Sequence, residues 1–470
     1  MLSVALHTLG CKLNQVESES IASAFTREGF TLVPWEGGGA DIFLVNTCTV
    51  TSKAEQKARR IIRKILKENP TSRVIVTGCY AQLDAEAVAG LTGNEGGVPA
   101  YQKRLLVIPG DRKSSLLDLP GLLREWGNAA GAPAGDLEQW ARGLDVSSPQ
   151  DRFRFNPEGF CNHSRAFLKI QDGCDKRCSY CRVTLARGPS VSLAAERVLS
   201  RLRTLEAAGF GEAVLTGINI CQYRDGSLDL GGLLEYLLGE TGDIALRLSS
   251  VEPENITPNL VNVLAHPRIR PHFHLSLQSG SPGILQRMGR GYSPESIEEG
   301  VARLRSVKGD PFVACDIITG FPGETGGEFE KTYELCRRIG FSWIHAFPYS
   351  PRPGTEAYHF TAPVTERDAV SRVTALTDLA RQGRRDYIGR WIGKKVEAII
   401  EGTASNEGNK KKSPYTAALS DNYLRLLLPN GEFSPLPPGR AIPCRLRELG
   451  KTGQELPGTS RFDAWGERLS

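Results

Sequence analysis

Apolar residues recur along the chain in two rhythms, and the way these alternate divides it into regions. Short β-branched runs stand at residues 2–7, 42–46 and 73–77, each followed by a turn and then a segment with helical spacing at 15–27 and 54–68. In the second of these, Ala54, Ala58, Ile61, Ile62 and Ile65 form an apolar stripe, and Pro70 stands just past its end. Strand and helix in alternation predict a parallel, doubly wound sheet. The alternation weakens over residues 92–157, where GNAAGAPAGD at 127–136 reads as an insertion or linker.

It resumes with strand candidates at 166–170, 213–216, 245–248, 273–277, 312–318 and 343–347. Helical stretches intervene at 194–207, 230–238, 258–265, 294–306, 327–339 and 364–388. Six β/α units predict an incomplete parallel barrel with its ligand site at the carboxyl ends of the strands. Beyond 390 the rhythm changes to strand-like alternation at 395–402, 423–429 and 441–449, which predicts a small antiparallel β-barrel. The expected α/β chain therefore has a doubly wound domain at 1–126, an insertion at 127–157, an incomplete (β/α)6 barrel at 158–390, a small barrel at 391–455 and a tail at 456–470.

Composition narrows the class. At 470 residues, with 40% hydrophobic and 24% charged residues, the chain reads as a multidomain globular protein. No apolar run approaches the roughly 20 residues that cross a bilayer. The opening MLSVALHTLG has no secretory pattern, so no membrane partner and a cytoplasmic location are expected. Eleven cysteines scattered over such a length do not make a disulfide framework, and metal or catalytic roles are favoured for those that cluster. A net charge of +5 permits an RNA partner without demanding one.

The cysteines do cluster. In QDGCDKRCSYC, residues 171–181, Cys174, Cys178 and Cys181 stand in a C-x3-C-x2-C spacing on a polar loop after the first barrel strand. A four-iron cube is held by one thiolate per iron, so three thiols leave one iron for a small-molecule ligand; the amino and carboxylate groups of S-adenosylmethionine suit it. A zinc site completed by Cys161 or His163 is the alternative. Upstream, Cys11, Cys48 and Cys79 each follow a strand of the parallel sheet, whose carboxyl ends share one edge, so they converge as the ligands of a second cluster or as small hydrophobes at strand ends.

The spacing, with Tyr180 before the last cysteine, resembles the signature of the radical S-adenosylmethionine enzymes. TLGCKLNQVESE (8–19), NTCTVT (46–51) and TGCYAQ (77–82) resemble the amino-terminal domain of one branch of them, the methylthiotransferases. Within that branch, Lys12, Leu13 and Asn14 are most similar to the form that acts on N6-threonylcarbamoyladenosine in tRNA. The sister forms act on isopentenyladenosine or on a ribosomal protein.

The resemblance implies two [4Fe-4S] clusters, S-adenosylmethionine, a tRNA substrate, a reducing electron donor and a sulfur source. Cys174, Cys178 and Cys181 would bind S-adenosylmethionine and cleave it to a radical that acts at C2 of the adenine 3′ of the anticodon, position 37. Cys11, Cys48 and Cys79 would carry the sulfur, methylated by a second S-adenosylmethionine. Beside Tyr180, the strand-end residues Gly217, Asn219, Arg247, Ser249, Glu252, Gln278 and Gly320 resemble the contacts to S-adenosylmethionine. Departures from the family pattern fall at Thr184, Val191 and Cys221.

Gln278, Arg287, Arg290, Arg352, Tyr292 and Tyr349 are candidates as a group for RNA contacts, with a surface or core role as the alternative for each one. The helical face bearing Lys53, Lys57, Arg60, Lys64 and Lys67 could follow an RNA backbone or be a solvated outer face; the 391–455 region resembles a TRAM domain, an RNA-binding module, and its Lys410, Lys411, Lys412 and Tyr415 fit a basic patch or a charged loop. His274 and His345 are expected in core or polar networks, because radical chemistry needs no general base. The reading from another class is a non-catalytic iron–sulfur electron carrier or RNA-binding sensor, which would release no 5′-deoxyadenosine.

Overall fold

Five parallel strands, β1 (Ser3–Thr8), β2 (Thr31–Leu32), β3 (Ile42–Thr47), β4 (Arg73–Gly78) and β5 (Leu105–Val107), form the amino-terminal sheet of the computed structural model in the order β2-β1-β3-β4-β5. Successive residues of each strand face opposite ways. One face packs Phe43, Val45, Val74 and Val76 against Ala58, Ile61, Ile62 and Ile65 of the Ser52–Glu68 helix. The other packs Val4, Ile42, Leu44 and Ile75 against Ile21 and Phe25 of the Lys12–Arg27 helix. Helices on both faces make the sheet doubly wound, as the alternation predicts.

The described residues are 2–37, 39–92, 104–128, 134–146, 148–157, 165–403, 415–429, 438–448 and 462–468. They form two units. The first is Met1–Asn162 with Lys169–Leu193 and Ser350–Tyr358; the second is His163–Leu168, Ala194–Tyr349 and His359–Ser470. The division therefore departs from the expected boundary at 158, because Lys169–Leu193 carries charged side chains whose partners lie in the amino-terminal residues. That stretch includes a short antiparallel pair, β7 (Gln171–Asp172) with β8 (Val191–Ser192).

In the second unit, β6 (Ala166–Lys169, its last residue counted with the first unit), β9 (Glu212–Thr216) and β10 (Ala245–Leu248) make one sheet. β11 (Ser250–Val251), β12 (His272–Gln278), β13 (Phe312–Thr319) and β14 (Trp343–Pro348) make another. β10 and β11 are separated by Ser249 alone, so the two sheets are one curved succession of six expected strand positions, the open barrel that the sequence predicts.

The closing barrel is larger than predicted. β15 (Lys395–Thr403), β16 (Tyr415–Ser420), β17 (Arg425–Pro429), β18 (Ala441–Arg447) and β19 (Ala464–Arg468) close in the order β15-β16-β17-β19-β18. The expected tail thus supplies a strand, and its pairing with β17 is parallel, the one exception to an antiparallel barrel. Val396, Ala398, Leu426, Leu428, Cys444 and Leu446 share one core with Phe312 of β13 and Tyr387 of the Glu366–Trp391 helix. Among the described residues no helix is long and apolar enough to cross a membrane.

The small barrel also meets a buried charge group. Arg247 is fully buried and donates to both carboxylate oxygens of Glu212 at 2.7 Å and to the Ser420 carbonyl at 3.3 Å. Arg270 bridges the same Glu212 to Glu397 of β15. Burial pushes the Glu212 carboxyl up, but Arg247 and Arg270 outweigh it and bring it down to about 2. A carboxyl lowered on folding contributes its stability in full above its unfolded value of about 4.3 and loses it as pH falls through the folded one. Thermal melts should therefore show on the order of 3 kcal/mol lost between about pH 4 and pH 2. Glu212→Gln should flatten that part of the profile.

Candidate functional site

The three upstream thiols sit where the parallel strands deliver them. β1 ends at Thr8, β3 at Thr47 and β4 at Gly78, so Cys11, Cys48 and Cys79 leave one edge of the sheet. Two are preceded by glycine in the left-handed region, Gly10 at φ +99° and Gly78 at φ +101°. A Cβ on Gly10 would lie 2.8 Å from the Cys48 sulfur, and one on Gly78 would lie 2.3 Å from the Thr47 carbonyl. Only glycine lets these turns close so tightly.

The downstream loop repeats the device. Gly173, at φ +72°, precedes Cys174, and a Cβ there would lie 1.9 Å from the Pro189 carbonyl oxygen. The Cys174 N–H donates to the Gly188 carbonyl at 3.1 Å, and the Cys181 N–H to the Cys178 carbonyl at 3.0 Å. The Gly-Cys pair repeated at 10–11, 78–79 and 173–174 is the sequence signal of these turns. Gly173→Ala should force this turn open, at a cost of at least about 1–2 kcal/mol for the backbone alone. Iron counting after anaerobic loading and a thermal melt would check it; about half the iron should be lost.

Backbone donors reach two of the sulfurs. The Val50 N–H points to Cys48 at 3.5 Å and the Val183 N–H to Cys181 at 3.4 Å, each two residues downstream of its cysteine. Burial pushes both thiols up to about 11, so an incoming metal must displace their protons. Four further cysteines, Cys221, Cys315, Cys336 and Cys444, are buried, as core cysteines are. Among the described residues no group of three or more His, Cys, Asp and Glu side chains could hold a single metal ion. A cube takes one thiolate at each of several separate corners instead. Cys161 and His163, which a zinc site would recruit, lie outside the described residues.

Two charge networks tie the cysteine turns together within the first unit. In one, Glu17 accepts from Lys113 at 2.6 Å, Lys169 at 3.0 Å and Arg187 at 3.0 Å, while Asp172 accepts from Lys169 at 2.7 Å and Arg187 at 3.0 Å. In the other, Arg182, next to Cys181, pairs with Asp84 at 3.0 Å and Glu55 at 3.3 Å. Arg352 also pairs with Glu55 and donates to Thr49, next to Cys48, at 3.0 Å. The sequence expects Arg352 to meet RNA; buried and committed to Glu55, it is a brace instead.

The strand-end positions of the second unit gather at the carboxyl edge with one exception. Gly217 follows β9, Ser249 follows β10, Glu252 follows β11, Gln278 ends β12 and Gly320 follows β13. Asn219 accepts from the Cys221 N–H at 3.2 Å, and the Cys221 sulfur faces the Glu252 N–H at 3.4 Å. Gln278 holds φ +66°, an unusual conformation for a residue with a side chain, where the β12–β13 register shifts. Gly320 is also demanded by packing, since a Cβ would lie 2.5 Å from that of Ala369. The exception is Arg247: its charge is spent on Glu212 at the amino end of β9, so it leaves the set of cofactor contacts. Tyr180 is half-buried on the downstream cysteine loop, in the first unit.

Of the other candidate RNA contacts, two are buried in protein contacts and two are partly open. Tyr292 is buried and donates to the Leu277 carbonyl at 2.6 Å, and Arg290 pairs with Glu252 at 2.7 Å. Arg287 is exposed and lies over the Phe360 ring, and Tyr349 packs edge-on against Phe321. His274 sits in a polar network, between Ser250 at 2.7 Å and Asp316 at 3.1 Å, and His345, though exposed, accepts from the Trp343 indole N–H at 3.2 Å. On the Ser52–Glu68 helix, Lys53, Lys57, Arg60, Lys64 and Lys67 are all exposed, and Arg63 joins them. Lys410, Lys411 and Lys412 lie outside the described residues.

Residues 3–95 match the family model described as uncharacterized protein family UPF0004, and residues 168–336 match that of the radical SAM superfamily. A threonylcarbamoyladenosine tRNA methylthiotransferase MtaB of Treponema pallidum is 40% identical, with 91% of this chain and 94% of the relative covered. The protein of the same description from Bacillus subtilis is 33% identical over 92% of this chain and 91% of its own. A tRNA-2-methylthio-N(6)-dimethylallyladenosine synthase of Geobacter metallireducens is 30% identical over 84% and 87%. Among solved structures, the radical S-adenosylmethionine methyltransferase TsrM of Kitasatospora setae aligns with a TM-score of 0.50 at 16% identity, covering 76% of this chain and 77% of that one, a likeness of fold.

Proposed function

The chain belongs to the threonylcarbamoyladenosine tRNA methylthiotransferases of the radical SAM superfamily, and we infer that it adds a methylthio group to C2 of N6-threonylcarbamoyladenosine at position 37 of tRNA. The likeness to relatives of that description along nearly the whole chain carries the choice of substrate. When bound, a [4Fe-4S] cluster on Cys174, Cys178 and Cys181 supplies the electron that splits S-adenosylmethionine into methionine and a 5′-deoxyadenosyl radical, and a second cluster on Cys11, Cys48 and Cys79 presents the sulfur.

The chain's own residues do the rest of the work. Three thiolates at each site leave one iron corner for a ligand other than protein. The glycines before Cys11, Cys79 and Cys174 let the backbone turn tightly at each cysteine, and N–H groups of Val50 and Val183 stabilise thiolate charge. Gly217, Asn219, Ser249, Glu252, Gln278 and Gly320 line the strand edge that we assign to S-adenosylmethionine, with Tyr180 beside the cluster. The exposed cations of the Ser52–Glu68 helix are positioned to follow an RNA backbone, and their contribution should weaken as salt rises. The reading requires an external reductant and a sulfur source, and it places the reaction in the cytoplasm with the tRNA.

Mass spectrometry of tRNA nucleosides from a strain lacking the gene provides the test. Methylthio-threonylcarbamoyladenosine should vanish, its unmethylthiolated precursor should accumulate, and methylthio-isopentenyladenosine should be unchanged. The converse pattern would move the substrate to the isopentenyl nucleoside. Unchanged levels of both would sink the tRNA reading and leave the ribosomal-protein form.

A further inference from the structure

The Glu17 network has a charge surplus, and its place in the unit says where that surplus acts. Lys113, Lys169 and Arg187 are three cations facing two carboxylates, Glu17 and Asp172, all of them with side chains less than a tenth exposed. Burying such a group costs several kcal/mol per ion unless each charge is compensated, so an uncompensated cation calls for a nearby anion.

Arg187 leads toward one. Its guanidinium donates to the Asn14 side-chain oxygen at 2.8 Å. The Asn14 amide in turn donates to the Leu9 carbonyl at 2.8 Å and the Thr47 carbonyl at 3.1 Å, which belong to the turns that present Cys11 and Cys48. The same amide nitrogen would lie 3.3 Å from a Cβ on Gly10. The Arg187 Nε–H is buried and has no acceptor among the described residues. Burial works against the Arg187 charge, yet Asp172, Glu17, Cys79 and Cys11 outweigh it, so the thiols are near enough to feel the guanidinium.

We propose that Arg187 is the positioning residue and counter-charge of the Cys11–Cys48–Cys79 site, bracing two of its turns through Asn14 and setting the reduction potential of the cluster held there. This rests on the reading that the three thiols hold a cluster. Such a cluster on thiolates is anionic and becomes more so on reduction, so a buried cation with an available N–H favours the reduced form.

The test isolates this site. The full-length chain carrying Cys174→Ala, Cys178→Ala and Cys181→Ala is loaded anaerobically with iron and sulfide, and its one-electron midpoint is followed by electron paramagnetic resonance. Adding Arg187→Met should make reduction at least tenfold less favourable, about 59 mV more negative for one electron. Arg187→Lys, which keeps the charge, should recover most of the shift. A fully loaded Met variant with the parent midpoint overturns the proposal, as does a Lys variant displaced as far as Met. Should the Met variant fail to load, Lys113→Met decides. It removes a cation of the same network that donates to Glu17 and to the Asn46 side chain rather than to Asn14 or the two turn carbonyls, and it must shift the midpoint in the same direction or the proposal fails. If the triple-alanine parent itself binds no iron, the second-cluster reading fails instead.

Discussion

Cys48→Ala is expected to separate the two halves of the reaction. The variant should keep about half of the parent's iron, still release 5′-deoxyadenosine from S-adenosylmethionine under reducing conditions, and form no methylthio nucleoside. Cys178→Ala should also keep about half the iron but release no 5′-deoxyadenosine. The asymmetry follows from one thiolate per iron: removing one of three ligands from a site that already has an open corner leaves a cube with two unanchored irons. Iron and sulfide counting, together with chromatography of the S-adenosylmethionine products, reads both outcomes. Full iron in Cys48→Ala would remove the second cluster from the account.

The largest effect on stability is expected at Glu17. Glu17→Gln leaves three buried cations facing Asp172 alone, and breaking a buried ionic group by removing one partner costs about 3–5 kcal/mol. At about 2–4 °C per kcal/mol for a domain of this size, the first thermal transition should fall by roughly 10 °C. A fall of only one or two degrees would mean that the network is solvated in solution. The second unit, which contains none of these residues, should melt as before.

What the sequence discloses follows the range of the interaction. The strands around Cys11, Cys48 and Cys79 are legible because β-branched runs and strand-end turns are local patterns, and parallel topology then gathers their ends without further information. The same holds for the six strands of the open barrel. Charge pairing over distance leaves no local trace: Lys169 meets Glu17 across 152 positions and Arg352 meets Glu55 across 297. Arg352 and Arg290, which look like RNA contacts in the sequence alone, are therefore found paired with Glu55 and Glu252. Arg247 fails as a cofactor contact for a related reason, since its strand position is right but its side chain runs toward Glu212 instead of the ligand edge. Two strands of the small barrel escape notice as well, Tyr415–Ser420 being alanine-rich and Ala464–Arg468 standing apart from the others.

The buried floor of the second unit has one more implication. Arg247, Glu212, Arg270 and the stacked rings of His272 and Tyr423, 3.8 Å apart, stopper the amino-terminal side of β9 and β10. Those two strands are therefore closed to a ligand at their amino ends, and their carboxyl ends carry the open side.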